Sequence, residues 1–206
     1  MQILIVSATD FEIKLLQEKF SEKIDFLITG IGVPQTIFKL TNELSKKNYD
    51  LVINLGIAGS FNKELELGKL VHVTENSFAD IGFETSSSFI PIGKSKMAQN
   101  EKYKFVNTTS FRFLKNMQSV KEITVNSTSG NKKTIALRKE IYTADTESME
   151  GAAIFYVCSE KQVDFIEIRS ISNFIEERKP ENWDIPLAIS NLNEYAINFI
   201  SDLLKK

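Results

Sequence analysis

Thr146-Glu147-Ser148-Met149-Glu150-Gly151-Ala152-Ala153 leads, through a run of small and apolar residues, to Arg169-Ser170-Ile171-Ser172-Asn173. The first stretch places a carboxylate, Glu150, at the mouth of a helix predicted over Glu150–Lys161. The second closes an apolar strand predicted over Phe165–Ser170 with a short series of polar groups. In an open α/β sheet, ligands bind outside the carboxyl ends of the strands. A Glu and an Asn brought to one such end suit the recognition of a sugar and a base. Gly151-Ala152-Ala153 is small enough for another surface to approach closely. Glu150 opens an apolar helix, so it is expected to face a wall of the fold and not solvent.

Outward from these stretches the chain alternates strands and helices. Gln2–Ser7 is a short apolar run that reads as a buried strand. Asp10 can cap a helix whose apolar face is Phe11, Leu15, Leu16 and Phe20. Ile24–Thr29 reads as the second strand, closing at Gly30-Ile31-Gly32. Pro34 suits the first turn of a helix carrying Ile37, Phe38, Leu40 and Leu44. Leu51–Leu55 is a third strand, ending at Gly56-Ile57-Ala58-Gly59, and Leu70–Thr74 a fourth. Residues 75–97 read as a long loop with at most short strands, longer than a connection requires and so a candidate site loop. Lys121–Asn126 is a strand, Lys132–Lys139 a short helix, and Ile185–Leu204 the closing helix. This alternation predicts an α/β fold, a three-layer α/β/α sandwich around a central mixed, twisted sheet, as one domain over residues 1–206.

Composition narrows the classes. The 206 residues are 42% hydrophobic and 25% charged, ordinary for a globular chain. A net charge of −2 gives no electrostatic case for nucleic acid or an anionic membrane. No run approaches the ~18 apolar residues of a membrane span, and Ile3–Val6 is too short for a secretory core. The single cysteine, Cys158, fits a reducing, cytoplasmic setting and reads as core packing. With one His and one Cys, no metal site is expected. His72, inside a strand, reads as a satisfied core histidine, and Trp183 as a packing anchor before the closing helix. Neither glycine turn matches G-x-G-x-x-G, so a dinucleotide fold is not supported.

The segment Ser7-Ala8-Thr9-Asp10-Phe11-Glu12, the turns Gly30-Ile31-Gly32 and Gly56-Ile57-Ala58-Gly59, and the two C-terminal stretches together resemble the nucleoside phosphorylase and nucleosidase superfamily. Nearly the whole chain takes part in the resemblance. Phe78-Ala79-Asp80-Ile81-Gly82-Phe83-Glu84, Phe89-Ile90-Pro91 and the run from Phe174 to Trp183 resemble its futalosine hydrolase branch more narrowly.

The resemblance implies a catalytic role for Glu12, which would hold and partly deprotonate a water facing the anomeric carbon; general-base help of this kind is worth ~10²–10⁴ in rate. It implies that Glu150 binds the ribose hydroxyls and Met149 packs on the sugar. Ile57, Ala58 and Gly59 would bring backbone to the ligand, and Thr128 and Ser129 would lie near the base. Phe83 and Phe89 would face the base or an aryl part, and Arg178 would pair with a substrate carboxylate. Asn173, the second catalytic candidate, stands where adenine-specific relatives carry Asp. An amide donates to N7 or O6 of a 6-oxopurine but has no proton to give away.

The implied activity is hydrolysis of the N-ribosyl bond of futalosine to hypoxanthine and dehypoxanthine futalosine, on the way to menaquinone. A small-molecule nucleoside is the expected partner, with no cofactor, and a homodimer or larger homo-oligomer is expected. Two enzyme alternatives stay open: a methylthioadenosine/S-adenosylhomocysteine-type nucleosidase, and a phosphate-dependent phosphorylase. A noncatalytic nucleoside-binding module is a third.

Overall fold

Runs of Ile, Val and Leu without polar alternation form strands covered on both faces. In the computed structural model, which describes residues 1–98, 102–107, 109 and 111–205, the first half runs β1 (Ile3–Ser7), α1 (Asp10–Phe20), β2 (Asp25–Ile28), α2 (Val33–Lys46), β3 (Leu51–Ser60) and β4 (Leu70–Phe78). A hairpin of β5 (Gly82–Glu84) and β6 (Phe89–Pro91) follows, then β7 (Lys104–Val106) and β8 (Gln118–Thr124). The chain ends with α3 (Lys132–Tyr142), β9 (Thr146–Ser148), α4 (Gly151–Lys161), β10 (Phe165–Phe174) and α5 (Ile185–Leu204).

The sheet is mixed, as the alternation predicts. β2, β1, β3 and β10 run parallel in that order, as do β4, β8 and β9. β10 pairs antiparallel with β4, and β3 antiparallel with β9. Because β10 reaches both β3 and β4 while β9 joins β8 to β3, these five strands close into a ring. β1 and β2 extend the sheet from β3.

Strand periodicity sorts the core into two layers. Leu4, Val6 and Val52 face α2 and α4, meeting Leu40, Leu44, Ile154 and Phe155. Ile3, Ile5, Leu51 and Ile53 face α1 and α5, meeting Leu16, Phe20, Leu192 and Phe199. Each such side chain contributes ~1.5–3 kcal/mol on burial.

Four expectations change. β3, β4 and β10 each run on past their predicted ends, so Gly56-Ile57-Ala58-Gly59 is strand and not turn. The space beside Gly56 is taken by Arg169, and that beside Gly59 by Ile175 and Asn173, so neighbouring side chains fill in for the missing Cβ atoms. β9 was not expected, being only three residues long. In α1, Phe11 and Leu15 are exposed and the buried face is Ile13, Leu16 and Phe20. The cause is a break at Ile13 (φ −129°, ψ 18°), and the N-cap is Thr9, not Asp10. In α2, Phe38 points outward.

Candidate active site

The carboxyl ends of β1, β3 and β10, with the loop after β8 and the β9–α4 junction, surround a cavity of about 270 Å³. Glu12, Ile57, Ala58, Gly59, Thr128, Ser129, Met149, Glu150 and Asn173 all line it. Phe83, Phe89 and Arg178 do not. Phe83 is exposed on the hairpin, and Phe89 lines a separate cavity between the hairpin and α3. Arg178 lies outside the wall, tying two rim segments together: its N–H donates to the Gly130 carbonyl (3.1 Å), its Nη1 to Thr128 Oγ1 (3.3 Å), and its guanidinium covers the Trp183 ring at 5.1 Å. Trp183 is itself a wall of the cavity, not a packing anchor.

Glu12 is placed by the break in α1. At that break Leu16 N–H cannot reach the Glu12 carbonyl in the ordinary helical bond, and the buried Asn193 of α5 inserts instead. Its Oδ1 accepts from Leu16 N–H (3.3 Å) and its Nδ2 donates to the Glu12 carbonyl (2.7 Å). The Glu12 side chain then turns back across the β1 end. Its Oε2 accepts from Ser7 Oγ (3.1 Å), Thr9 N–H (3.0 Å) and Thr9 Oγ1 (2.7 Å). Its Oε1 accepts only from Ile57 N–H (3.2 Å), which leaves that oxygen with lone-pair capacity for a further donor. Arg169 Nη1 reaches the same place: a Cβ on Gly56 would meet it at 2.5 Å and Glu12 Oε1 at 3.2 Å.

Glu150 is the N-cap of α4. Its Oε1 accepts from Gly32 N–H at 2.8 Å, a donor aimed by the positive φ (94°) of that glycine. Asn126 holds the neighbouring Val33 N–H (3.2 Å), so the start of α2 is fixed against the site. Burial pushes the Glu150 carboxyl above its ordinary range, with Glu12 and Glu122 adding to the rise, while the Gly32 bond and Arg169 oppose it.

Asn173 sits on β10 with its amide orientation set at both ends. Ser172 Oγ donates to Oδ1 (2.8 Å), and Nδ2 donates to the Phe174 carbonyl (3.2 Å). One N–H of the amide remains for a ligand.

Several residues of this region gave no signal of function in the sequence reading. Glu147 is buried and binds Ser129 N–H (2.7 Å), Ser129 Oγ (2.7 Å) and Arg138 Nη1 (2.9 Å), so it clamps the 128–130 segment to α3. Arg169 is buried, and so are Glu122 and Glu167 beside it. The available signal was an Arg and a Glu inside the predominantly apolar Phe165–Ile168 and Ile171 stretch of the strand. His72 is buried as expected, but its Nε2 has no hydrogen-bond partner, and burial pushes its pKa down. Cys158 is a free buried thiol pushed up by burial. Among the described residues no cluster of His, Cys, Asp and Glu could hold a metal, and no helix is long and apolar enough to cross a membrane.

This arrangement, a carboxylate with a free lone pair, a second carboxylate at a helix mouth and an oriented amide around one cavity, sits in a recognised class: the chain belongs to the phosphorylase superfamily, whose family model matches residues 20–205. Its relatives there are more particular. It is 28% identical over 190 residues to futalosine hydrolase of Streptomyces coelicolor, covering 88% of this chain and 80% of that one. It is 23% identical to 5′-methylthioadenosine/S-adenosylhomocysteine nucleosidase of Bacillus cereus, covering 100% of this chain and 99% of the relative. A futalosine hydrolase mutant of Helicobacter pylori strain 26695 shares the fold, with a TM-score of 0.83 at 17% identity over 98% of this chain and 100% of that one.

Proposed function

We propose that this chain is a nucleosidase of the methylthioadenosine and futalosine type, hydrolysing the N-ribosyl bond of a purine nucleoside, and that its substrate is futalosine. The coarse activity is that of the relatives, which are N-glycosyl hydrolases by name. The narrower choice rests on one observation, the Asn173 amide with its N–H directed by Ser172 and the Phe174 carbonyl.

In this reading Glu12 Oε1 accepts a proton from the attacking water, whose oxygen bonds to the anomeric carbon. The C1′–N9 bond breaks and its electron pair leaves with the purine. Asn173 donates to N7 or O6 of hypoxanthine and stabilises the developing negative charge, and the purine's final proton comes from solvent. Glu150 accepts from the ribose hydroxyls through charge-assisted bonds, and its charge favours a sugar becoming oxocarbenium-like. Water, not phosphate, is the nucleophile: the described lining carries three glutamates, Glu12, Glu147 and Glu150, and no Lys or Arg. The reading also takes the protein as cytoplasmic and homo-oligomeric.

Purified protein incubated with futalosine, inosine and methylthioadenosine, each with and without phosphate, tests this. Hypoxanthine released from futalosine without phosphate is the expected result. Adenine from methylthioadenosine, or strict phosphate dependence, overturns the substrate or the nucleophile. Asn173→Asp is expected to shift preference toward 6-aminopurines, since a protonated Asp both donates and accepts; unchanged preference counts against Asn173 as selector.

A further inference from the structure

Behind the wall of the cavity, Glu122 of β8, Glu167 and Arg169 of β10 and Asn76 of β4 converge in a fully enclosed cluster beneath Gly151. Asn76 Nδ2 lies 3.0 Å from Glu122 Oε1 and 3.2 Å from Glu167 Oε1. Arg169 approaches both carboxyls, Nε to Glu122 at 3.5 Å and Nη2 to Glu167 at 3.4 Å, without hydrogen-bond geometry. Two carboxylates this close, away from water, do not both ionise. Their surroundings decide which one carries the proton. Glu122 is ringed by donors: Ser148 Oγ (2.6 Å), Thr146 Oγ1 (3.1 Å) and Asn76. Glu167 has an oxygen, Oε2, with no partner. Asn54 of β3 stands opposite Glu167 in the strand register, and its acceptor Oδ1 has no partner either. Two unpartnered acceptors in register become one satisfied hydrogen bond if Glu167 is a carboxylic acid.

We propose that Glu122 is a positioning residue and Glu167 its neutral neighbour: protonated Glu167 donates to Asn54, ionised Glu122 balances Arg169, and the guanidinium is thereby fixed beside Glu12. The groups facing Glu167 are Arg169 on its own strand, Glu122, Asn76, Asn54 and, from α4, Cys158. Burial is the main cause that holds the Glu167 carboxyl well above the ordinary range, and Glu122 adds to it against the pull of Arg169. With Glu167 neutral, the single Arg169 charge is not divided between two anions behind it, and part of its field acts on Glu12 and Glu150 in front.

The positioning role rests on the nucleosidase reading; the protonation state does not. An infrared difference spectrum of the substrate-free protein at neutral pH, wild type against Glu167→Gln, reads the proton directly. Loss of the carbonyl stretch of a protonated acid supports the proposal, and loss of carboxylate bands overturns it. Gln keeps both a donor and an acceptor there, so failure of Glu167→Gln to fold also overturns it. Turnover of futalosine reads the second half. Glu167→Gln is expected to leave kcat and its pH profile unchanged. Glu122→Gln is expected to lower kcat by about tenfold to a hundredfold, the scale of a misplaced catalytic group, and to move the acid limb of the profile. Should Glu122→Gln not fold, Thr146→Val removes one donor from Glu122 and is expected to lower kcat in the same direction. Unchanged kcat and profile in the folded variant overturn the positioning role. A wild type inactive on every nucleoside overturns that role together with the functional reading, while the infrared result stands by itself.

Discussion

Replacing Gly56 with alanine tests how tightly Glu12 and Arg169 are held. The backbone at Gly56 is not in the left-handed region, so the whole perturbation is the added methyl group. Its carbon would stand 2.5 Å from Arg169 Nη1 and 3.2 Å from Glu12 Oε1, where ordinary contact begins at 3.4 Å. The guanidinium must therefore withdraw by about 0.9 Å and the carboxylate by about 0.2 Å. Neither can do so freely, since Arg169 is enclosed with Glu122 and Glu167 behind it and Glu12 accepts four hydrogen bonds. Overpacking of this kind costs about 1–3 kcal/mol, or roughly 2–12 °C in Tm for a chain of this size. A shift near 1 Å among reacting groups costs about 10² in rate. The expected outcome is a folded variant with kcat about a hundredfold lower and KM nearly unchanged, because Glu150 and Asn173 are not displaced. Steady-state release of free base and thermal unfolding measure both. Gly130→Ala is the control: its Cβ meets Arg178 at 3.5 Å, ordinary contact, and should be neutral in both assays. Wild-type kcat in Gly56→Ala would refute the idea that Glu12 and Arg169 act as a rigidly spaced pair.

Asn193→Leu leaves Leu16 N–H and the Glu12 carbonyl buried without partners, at about 1–3 kcal/mol each; urea unfolding should show a lower midpoint at unchanged slope, and a wild-type midpoint would show the α1 break to be self-sufficient. Arg138→Met strands the buried Glu147 carboxylate and is expected to cost about 3–5 kcal/mol by the same measurement, with KM raised as the 128–130 segment loosens. Glu150 titrates above the ordinary carboxylate range, so KM should rise as pH falls through that elevated value, earlier than a normal carboxylate would cause, and Glu150→Gln should abolish that limb. The sign for stability is opposite: an acid whose folded pKa is raised binds more protons in the native state, so stability falls as pH rises from the unfolded value through the folded one. Glu150→Gln should therefore be more stable than wild type at neutral pH, as read by thermal melts across pH.

The layers of the fold were legible because β1 and the first half of β3 are apolar without alternation and α2 carries most of its apolar residues on one face behind Pro34. The ring closure was not, because β9 is three residues long and carries no strand signal of its own. Gly56 and Gly59 read as turn residues because their space is filled by Arg169 and Asn173 of β10 and by Ile175 just beyond it, more than a hundred positions away. The site was legible where a local motif carries it: Glu12, Met149-Glu150 and Asn173 each stand at a strand end or helix mouth and line the cavity together. Phe83, Phe89 and Arg178 were named from loops, whose course depends on what packs beneath them, and none of the three lines it. Trp183 was missed for the same reason. Glu122 and Glu167 were missed because a Glu in a strand reads as a solvent-facing position, and only the cover supplied by α4 turns both inward.

The buried charges make physical sense together. A sugar that becomes cationic at its anomeric carbon is favoured by negative charge nearby, and in the proposed function Glu12 and Glu150, which both line the cavity, supply it. Two carboxylates in a partly enclosed cavity also repel each other, which is visible in the upward push that Glu12 gives Glu150. Arg169 relieves that repulsion without entering the cavity wall, because it rises from β10 under Gly56, where no Cβ stands in its way. A guanidinium so placed needs its own counter-charge, or it would neutralise the site it supports. Burial alone would lower its pKa; an ionised Glu167 would be the strongest upward influence, and with Glu167 protonated that task passes to Glu122, then Glu150 and Glu12. Glu122 is that counter-charge, and Ser148 couples it to the site, since one hydroxyl donates to Glu122 and accepts the Gly151 N–H that follows Glu150. The Thr146–Gly151 stretch thus binds both sides of the same electrostatic arrangement: the Glu150 carboxylate in front and the hydroxyls of Thr146 and Ser148 that hold the balancing anion behind.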